Sequence, residues 1–166
     1  MPQLDAIKLL TTDHRTVEGL FADYEKARGA SAKEKLARQI CTELKIHSTI
    51  EEEIFYPALR GKIEDDMLDE AVVEHDGAKV LINDIESAEP SEEFYDAKVK
   101  VLQEQIEHHV EEEEKPGGVF SQARKGKMEL DALGERLAAR KKALTQDYKA
   151  SGVPQPELTT MDEVSI

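Results

Sequence analysis

The stretch KIHSTIEEEIFYP, residues 45–57, decides the fold when it is set beside EHHVEEEE, residues 107–114. Each places a histidine four residues ahead of a glutamate, His47 with Glu51 and His109 with Glu113. Side chains four apart lie about one turn apart on one helix face, so each pair offers an imidazole nitrogen and a carboxylate to one point. A single H-x-x-x-E is a weak signal in a glutamate-rich chain. Two of them inside apolar helical stripes, in register with two further histidines on two other helices, are far more specific. The reading is a four-helix bundle with a pair of metal ions at its centre.

The stripe around the first pair predicts a helix over residues 32–59, with Leu36, Ile40, Leu44, His47, Glu51, Ile54 and Ala58 facing inward. A histidine and a glutamate thus occupy core positions. A buried, unpaired carboxylate is costly or takes up a proton, and a metal ion removes that conflict. Pro57, near the end of this helix, is expected to kink it. A preceding helix over residues 4–27 carries Ile7, Leu10, Val17, Phe21 and Tyr24 in phase with His14, and Gly29 then Ser31 read as a stop and an N-cap. A third helix over residues 65–86 turns Leu68, Ala71, His75, Ala78, Ile82 and Ile85 inward.

The fourth helix, over residues 92–114 with Ser91 as its N-cap, contains adjacent histidines that the helical period separates. Measured from His109, Leu102 lies at roughly +20°, Glu113 at roughly +40° and Ile106 at roughly +60°, while His108 falls about 100° away at the arc's edge. His109 is therefore assigned inward and His108 outward. Lys115-Pro116-Gly117-Gly118 breaks the helix, and residues 119–124 resume it briefly. A last helix over residues 129–148 bears Leu130, Leu133, Leu137 and Leu144 with the basic residues Arg136, Arg140, Lys141 and Lys142. It reads as an appendage packed across the bundle. The expected organisation is all-α: one unit over residues 1–148, then a polar, proline-containing tail over residues 149–166 expected to be disordered on its own.

With 36 acidic against 22 basic residues and a formal charge of -14, the surface should repel nucleic acid and anionic lipid. The single cysteine, Cys41, allows no intrachain disulfide, which points to a reducing compartment. No basic-then-apolar leader and no long apolar run stands in the sequence, so a cytoplasmic location without membrane contact is expected.

The inward polar set is His14, His47, Glu51, His75, His109 and Glu113. No thiolate accompanies it, which disfavours structural zinc and iron–sulfur clusters, whereas imidazole with carboxylate suits iron or manganese held between facing helices. Two six-coordinate irons offer about twelve positions. Four imidazoles, two bridging carboxylates and a bridging oxygen leave about two of them for a small ligand. The flanking glutamates, Glu52, Glu53, Glu111 and Glu112, read as solvated.

The order H…HxxxE…H…HxxxE, with DHRTVEGLF around His14 and H-x-x-x-E-E-x-x-F-x-P from His47 to Pro57, resembles the hemerythrin-like HHE cation-binding family over about residues 5–145. The resemblance implies an up-down four-helix bundle holding an oxo- or hydroxo-bridged pair of iron ions. His14, His47, His75 and His109 would be terminal ligands and Glu51 and Glu113 bridging carboxylates. The oxygen carriers of that family hold a further histidine one turn from the third-helix ligand. Here those positions are Ala71 and Lys79, and the KPGG segment interrupts the family's usual ending. Either an extra solvent position is left there or a neighbouring oxygen donor fills it, Glu18 or Tyr56, although Tyr56 lies about 180° from His47 on an ideal helix. The implied function is binding or reaction of dioxygen, peroxide or nitric oxide, with possible peroxide-decomposing or nitric oxide-reactive turnover. The alternative is a sensor or iron-handling protein in which metal occupancy orders the bundle.

Overall fold

The computed structural model describes residues 5–126 and 128–161. Helices α1 (Ala6–Lys26), α2 (Ala30–Ile50), α4 (Asp65–Ser87) and α5 (Tyr95–Glu114) form the bundle. The first packs on the second, the second on α4, α4 on α5, and α5 back on α1. Between α2 and α4 the chain passes through a π-helical turn, Glu51–Phe55, into the short α3 (Tyr56–Leu59). A short α6 (Val119–Lys125) follows the bundle, and α7 (Leu130–Ser151) lies across α1, α2 and the π turn.

The amphipathic stripes explain this packing. Ile7, Leu10, His14, Val17, Phe21 and Tyr24 are all buried on α1, as are Leu68, Ala71, His75, Ala78, Ile82 and Ile85 on α4. The apolar residues gather into two clusters. One holds Leu10, Ile50, Phe55, Leu68, Phe120 and Leu137. The other holds Val17, Ile40, Leu44, Ile82 and Leu102. On α1 and α4 the buried histidine falls between the two, on α2 His47 lies where the helix passes from the second to the first, and on α5 His109 follows residues of the second, so one polar layer crosses an otherwise aliphatic core.

Several boundaries differ from the sequence expectation. The α2 helix starts after Gly29, whose φ of 90° suits glycine, and not at a Ser31 cap. The α5 helix starts after Phe94, in the left-handed region at φ 70°, and not at a Ser91 cap. Pro57 stands in the first turn of α3, directly after the π turn, where the Tyr56 N–H bonds to the Glu51 carbonyl. From that turn onward the inward residues are Phe55, Tyr56 and Leu59, while Ile54 and Ala58 are only partly buried.

The segment expected to be disordered from residue 149 begins as the last turn of α7. Farther on, the backbone N–H groups of Thr159, Thr160 and Met161 donate to the Asp76 carboxylate at 2.8, 2.6 and 3.0 Å. Those donors hold Asp76 down to about 2, against burial that would raise it. Residues 162–166 lie outside the described range.

The KPGG turn permits a close return of the chain. A Cβ on Gly118 would sit 2.4 Å from the Glu112 carbonyl oxygen and 2.9 Å from that of Lys115. This approach brings Phe120 to stack on His14, with centroids 5.7 Å apart and planes 9° apart. Gly118→Ala should therefore lower unfolding stability by roughly 1–3 kcal/mol. Denaturant titration measures it, and an unchanged midpoint would contradict the close approach.

Candidate metal centre

The six inward residues converge at mid-bundle. His14 and His47 form one group with Glu113, and His75 and His109 form another with Glu51. All six are buried, with Glu51 at 0% and Glu113 at 1% exposure. The two carboxylates span both groups. Glu51 Oε1 lies 3.0 Å from His47 Nε2 and 3.2 Å from His75 Nε2. Glu113 Oε1 lies 3.3 Å from His14 Nε2 and 3.2 Å from His109 Nε2.

Every one of the four imidazoles is aimed by a carboxylate. His14 Nδ1 pairs with Glu114 at 2.7 Å, and His47 Nδ1 with Asp13 at 3.0 Å. His75 Nδ1 pairs with Glu52 at 3.0 Å, and His109 Nδ1 with Glu74 at 3.0 Å. An ionised carboxylate can only accept, so each Nδ1 carries the proton and each Nε2 is turned to the centre. Among the described residues, the buried side-chain atoms without a hydrogen bond are His14 Nε2, His47 Nε2, both Glu51 oxygens, Glu113 Oε1 and Asn83 Oδ1. All but the last belong to this one site. Such orphaned atoms are expensive in a core unless a cation takes them up, so the donor set fits a metal.

Electrostatics gives the same picture. Burial by itself would strip the proton from His47, but Glu51 and Asp13 outweigh it and push its pKa up to about 10. His109 is likewise raised well above its ordinary value, by Glu113, Glu51 and Glu74 against burial. Glu51 is held well below the usual carboxylate range by His47, His109 and His75, again against burial. Without metal, protons on His47 and His109 thus balance the carboxylates, and uptake of a cation must displace them.

Tyr56 completes one side. Its hydroxyl donates to Glu113 Oε2 at 2.8 Å and stands 3.4 Å from both His75 Nε2 and His109 Nε2. The ideal-helix angle of about 180° from His47 is overcome by the π turn, whose extra residue removes about 100° of rotation. Burial first, and then Glu113 and Glu51, keep this phenol protonated well above its usual range. Tyr56 thus brings a phenol oxygen beside His75 and His109, on a side to which Ala71 and Lys79 contribute no imidazole. Glu18 does not enter the site, since it pairs with Arg15 on the exposed face of α1.

Sequence reasoning took Glu52 as a solvated flank and identified none of the orienting carboxylates. Glu52 is instead half-buried against His75, while Glu53 does lie at the surface, paired with Arg140 at 2.8 Å. The available signal was adjacency, because Asp13, Glu52, Glu74 and Glu114 each neighbour a site residue in the chain. His108 points outward at 64% side-chain exposure and meets Glu74 at 3.1 Å. His108→Ala should leave metal content unchanged, whereas His109→Ala should lose metal, as elemental analysis of the purified variants would register. The opposite result would reverse the assignment of α5.

Beside the four imidazoles lies a small cavity of about 30 Å³, walled by Val17, Leu44, Ala78, Ile82, Ile106 and Val110. It has room for about one water-sized molecule.

Comparison with known proteins places these observations. The family model of the hemerythrin HHE cation-binding domain matches residues 5–116. The crystal structure of a hemerythrin HHE cation-binding domain-containing protein from Mycobacterium kansasii superposes with a TM-score of 0.75 over 90% of this chain and 95% of that one, at 24% identity. That likeness is one of fold. No curated protein matches in sequence. Among the described residues, no helix is long and apolar enough to cross a membrane.

Proposed function

The chain belongs to the hemerythrin HHE cation-binding family, and on that premise we propose that it holds two iron ions and reacts with a small oxidant: peroxide, dioxygen or nitric oxide. The observation that carries this reading is the set of four Nδ1-anchored imidazoles facing two spanning carboxylates whose oxygens have no other partner. Imidazole with carboxylate is a donor set suited to iron. Cys41 is no competitor, being a buried residue of the aliphatic cluster whose thiol burial pushes up to about 12.

Bound between these residues, iron would supply one-electron exchange with the incoming oxidant. The protein's part is to orient and to exclude. The orienting carboxylates fix each ring, the apolar cavity walls admit a molecule of a few atoms, and Tyr56 holds its proton on Glu113. With Ala71 and Lys79 in place of a further imidazole and Tyr56 held as a neutral phenol, a coordination position is left for the oxidant. Reaction is therefore favoured over reversible carriage.

The test is to measure iron in freshly purified protein, reduce it without air, admit dioxygen and follow the optical spectrum through cycles of purging. Two irons per chain, rapid conversion to a stable oxidised form and consumption of added peroxide are expected. Reversible cycling with no peroxide loss would replace this reading with oxygen storage.

A further inference from the structure

We propose that the chain following the bundle carries positioning residues for the metal site, Lys141 acting through Asp13 on His47 and Thr159 acting through Glu52 on His75. Both lie beyond residues 5–116, the part matched by the family model. The inference rests on the metal-binding reading above.

The argument begins with the second oxygen of each orienting carboxylate. Asp13 gives Oδ2 to His47 at 3.0 Å, and its Oδ1 is taken by the Lys141 ammonium of α7. Glu52 gives Oε2 to His75 at 3.0 Å, and its Oε1 is taken by the Thr159 hydroxyl. Lys79 of α4 reinforces the second clamp, lying 3.0 Å from Glu52 Oε2, 3.1 Å from Glu52 Oε1, which it shares with Thr159, and 3.1 Å from Thr159 Oγ1. The two remaining carboxylates are closed from within the bundle. Glu114 meets Arg15, and Glu74 meets His108. Each group of metal donors thus has one histidine braced by the bundle alone and one that the later chain helps to brace.

Thr159 is not placed there by chance contact of a loose end. Asp76, buried at 0% exposure, accepts three successive backbone N–H groups and the Thr160 hydroxyl at 2.6 Å. That dock fixes the backbone at the position where the Thr159 side chain meets Glu52. Lys141 is fixed in the same way by the packing of α7, whose Leu133, Leu137 and Leu144 are buried and whose Arg140 grips Glu53 of the π turn. A carboxylate held at both ends cannot swing away from its imidazole, so the ring keeps its Nε2 turned to the centre, where it would hold a metal. Loss of such a partner typically costs 10–100-fold in metal affinity.

The experiment loads the full chain with iron and follows its release to a chelator, together with the optical spectrum. Wild type should release two equivalents slowly. Thr159→Val, which keeps the shape without the hydroxyl, should release one equivalent about tenfold faster, and Thr159→Ser should restore the wild-type rate. Lys141→Met should accelerate the other equivalent, with Lys141→Arg closer to wild type. Lys142→Met, an exposed neighbour outside the clamp, should change nothing. The double variant should release both equivalents fast. Asp76→Ala, which undocks the tail, should reproduce Thr159→Val. Wild-type release rates in both Thr159→Val and Lys141→Met would overturn the clamps while leaving the metal site standing. Equal acceleration of both equivalents by either variant would overturn them too, as general loosening. Absence of metal from wild type would instead defeat the proposed function.

Discussion

Glu51→Ala should empty both halves of the metal site, taking bound iron from about two per chain to nearly none. The reason is that Glu51 serves both halves, with one oxygen 3.0 Å from His47 Nε2 and 3.2 Å from His75 Nε2. Its own oxygens have no other hydrogen-bond partner, so metal is what they are placed to meet. The loss should exceed the roughly 100-fold expected for removing an orienting partner. Glu113→Ala should behave alike, since Glu113 touches His14 and His109 from the opposite groups. Elemental analysis after gel filtration is the measurement. Retention of one full equivalent by Glu51→Ala would mean that the carboxylate belongs to one half alone.

Removing iron should lower the melting temperature by roughly 10 °C at neutral pH, and the gap should widen as pH rises toward 9. A ligand present at a thousand times its dissociation constant stabilises the fold by about 4 kcal/mol. For a chain of this size each kcal/mol moves the midpoint by about 2–4 °C. The pH dependence follows from the metal-free site, where His47 is raised to about 10 by Glu51 and Asp13 against burial. A histidine raised in the folded state contributes stability that is complete below its ordinary value near 6.5 and is lost as pH climbs toward the folded value. The metal-free protein should therefore weaken between pH 7 and 9. The loaded protein keeps its imidazoles neutral on metal and should not. Calorimetric melting of both forms at pH 7 and pH 9 is the check. A gap that narrows with pH would mean that the carboxylates are not balanced by protonated histidines.

The helical period alone put His14, His47, Glu51, His75, His109 and Glu113 on inward faces, because a polar residue on an apolar stripe stands out in any 3.6-residue pattern. The same period separated His108 from His109, and the structure turns them as that pattern required. The π turn was harder to see. Its only trace is that Phe55, Tyr56 and Leu59, bulkier than Ile54 and Ala58 as a set, fall off the ideal stripe beyond Glu51. A shift of one residue in backbone hydrogen bonding leaves no compositional mark, yet it decides that Tyr56 enters the site.

The orienting carboxylates lay wholly beyond a periodicity argument. Asp13 neighbours His14 but serves His47; Glu52 neighbours Glu51 but serves His75; Glu74 neighbours His75 but serves His109; Glu114 neighbours Glu113 but serves His14. Each reaches from its own helix to the next, and the four contacts close a ring around the bundle. A stripe fixes which way a residue faces on its own helix. Which neighbour it meets depends on the rotation and offset of two helices packed side by side, and only the assembled bundle sets those. The docking of Thr159 beside Glu52 is of the same kind, since a polar tail has no period to read and its place is chosen by the buried carboxylate of Asp76.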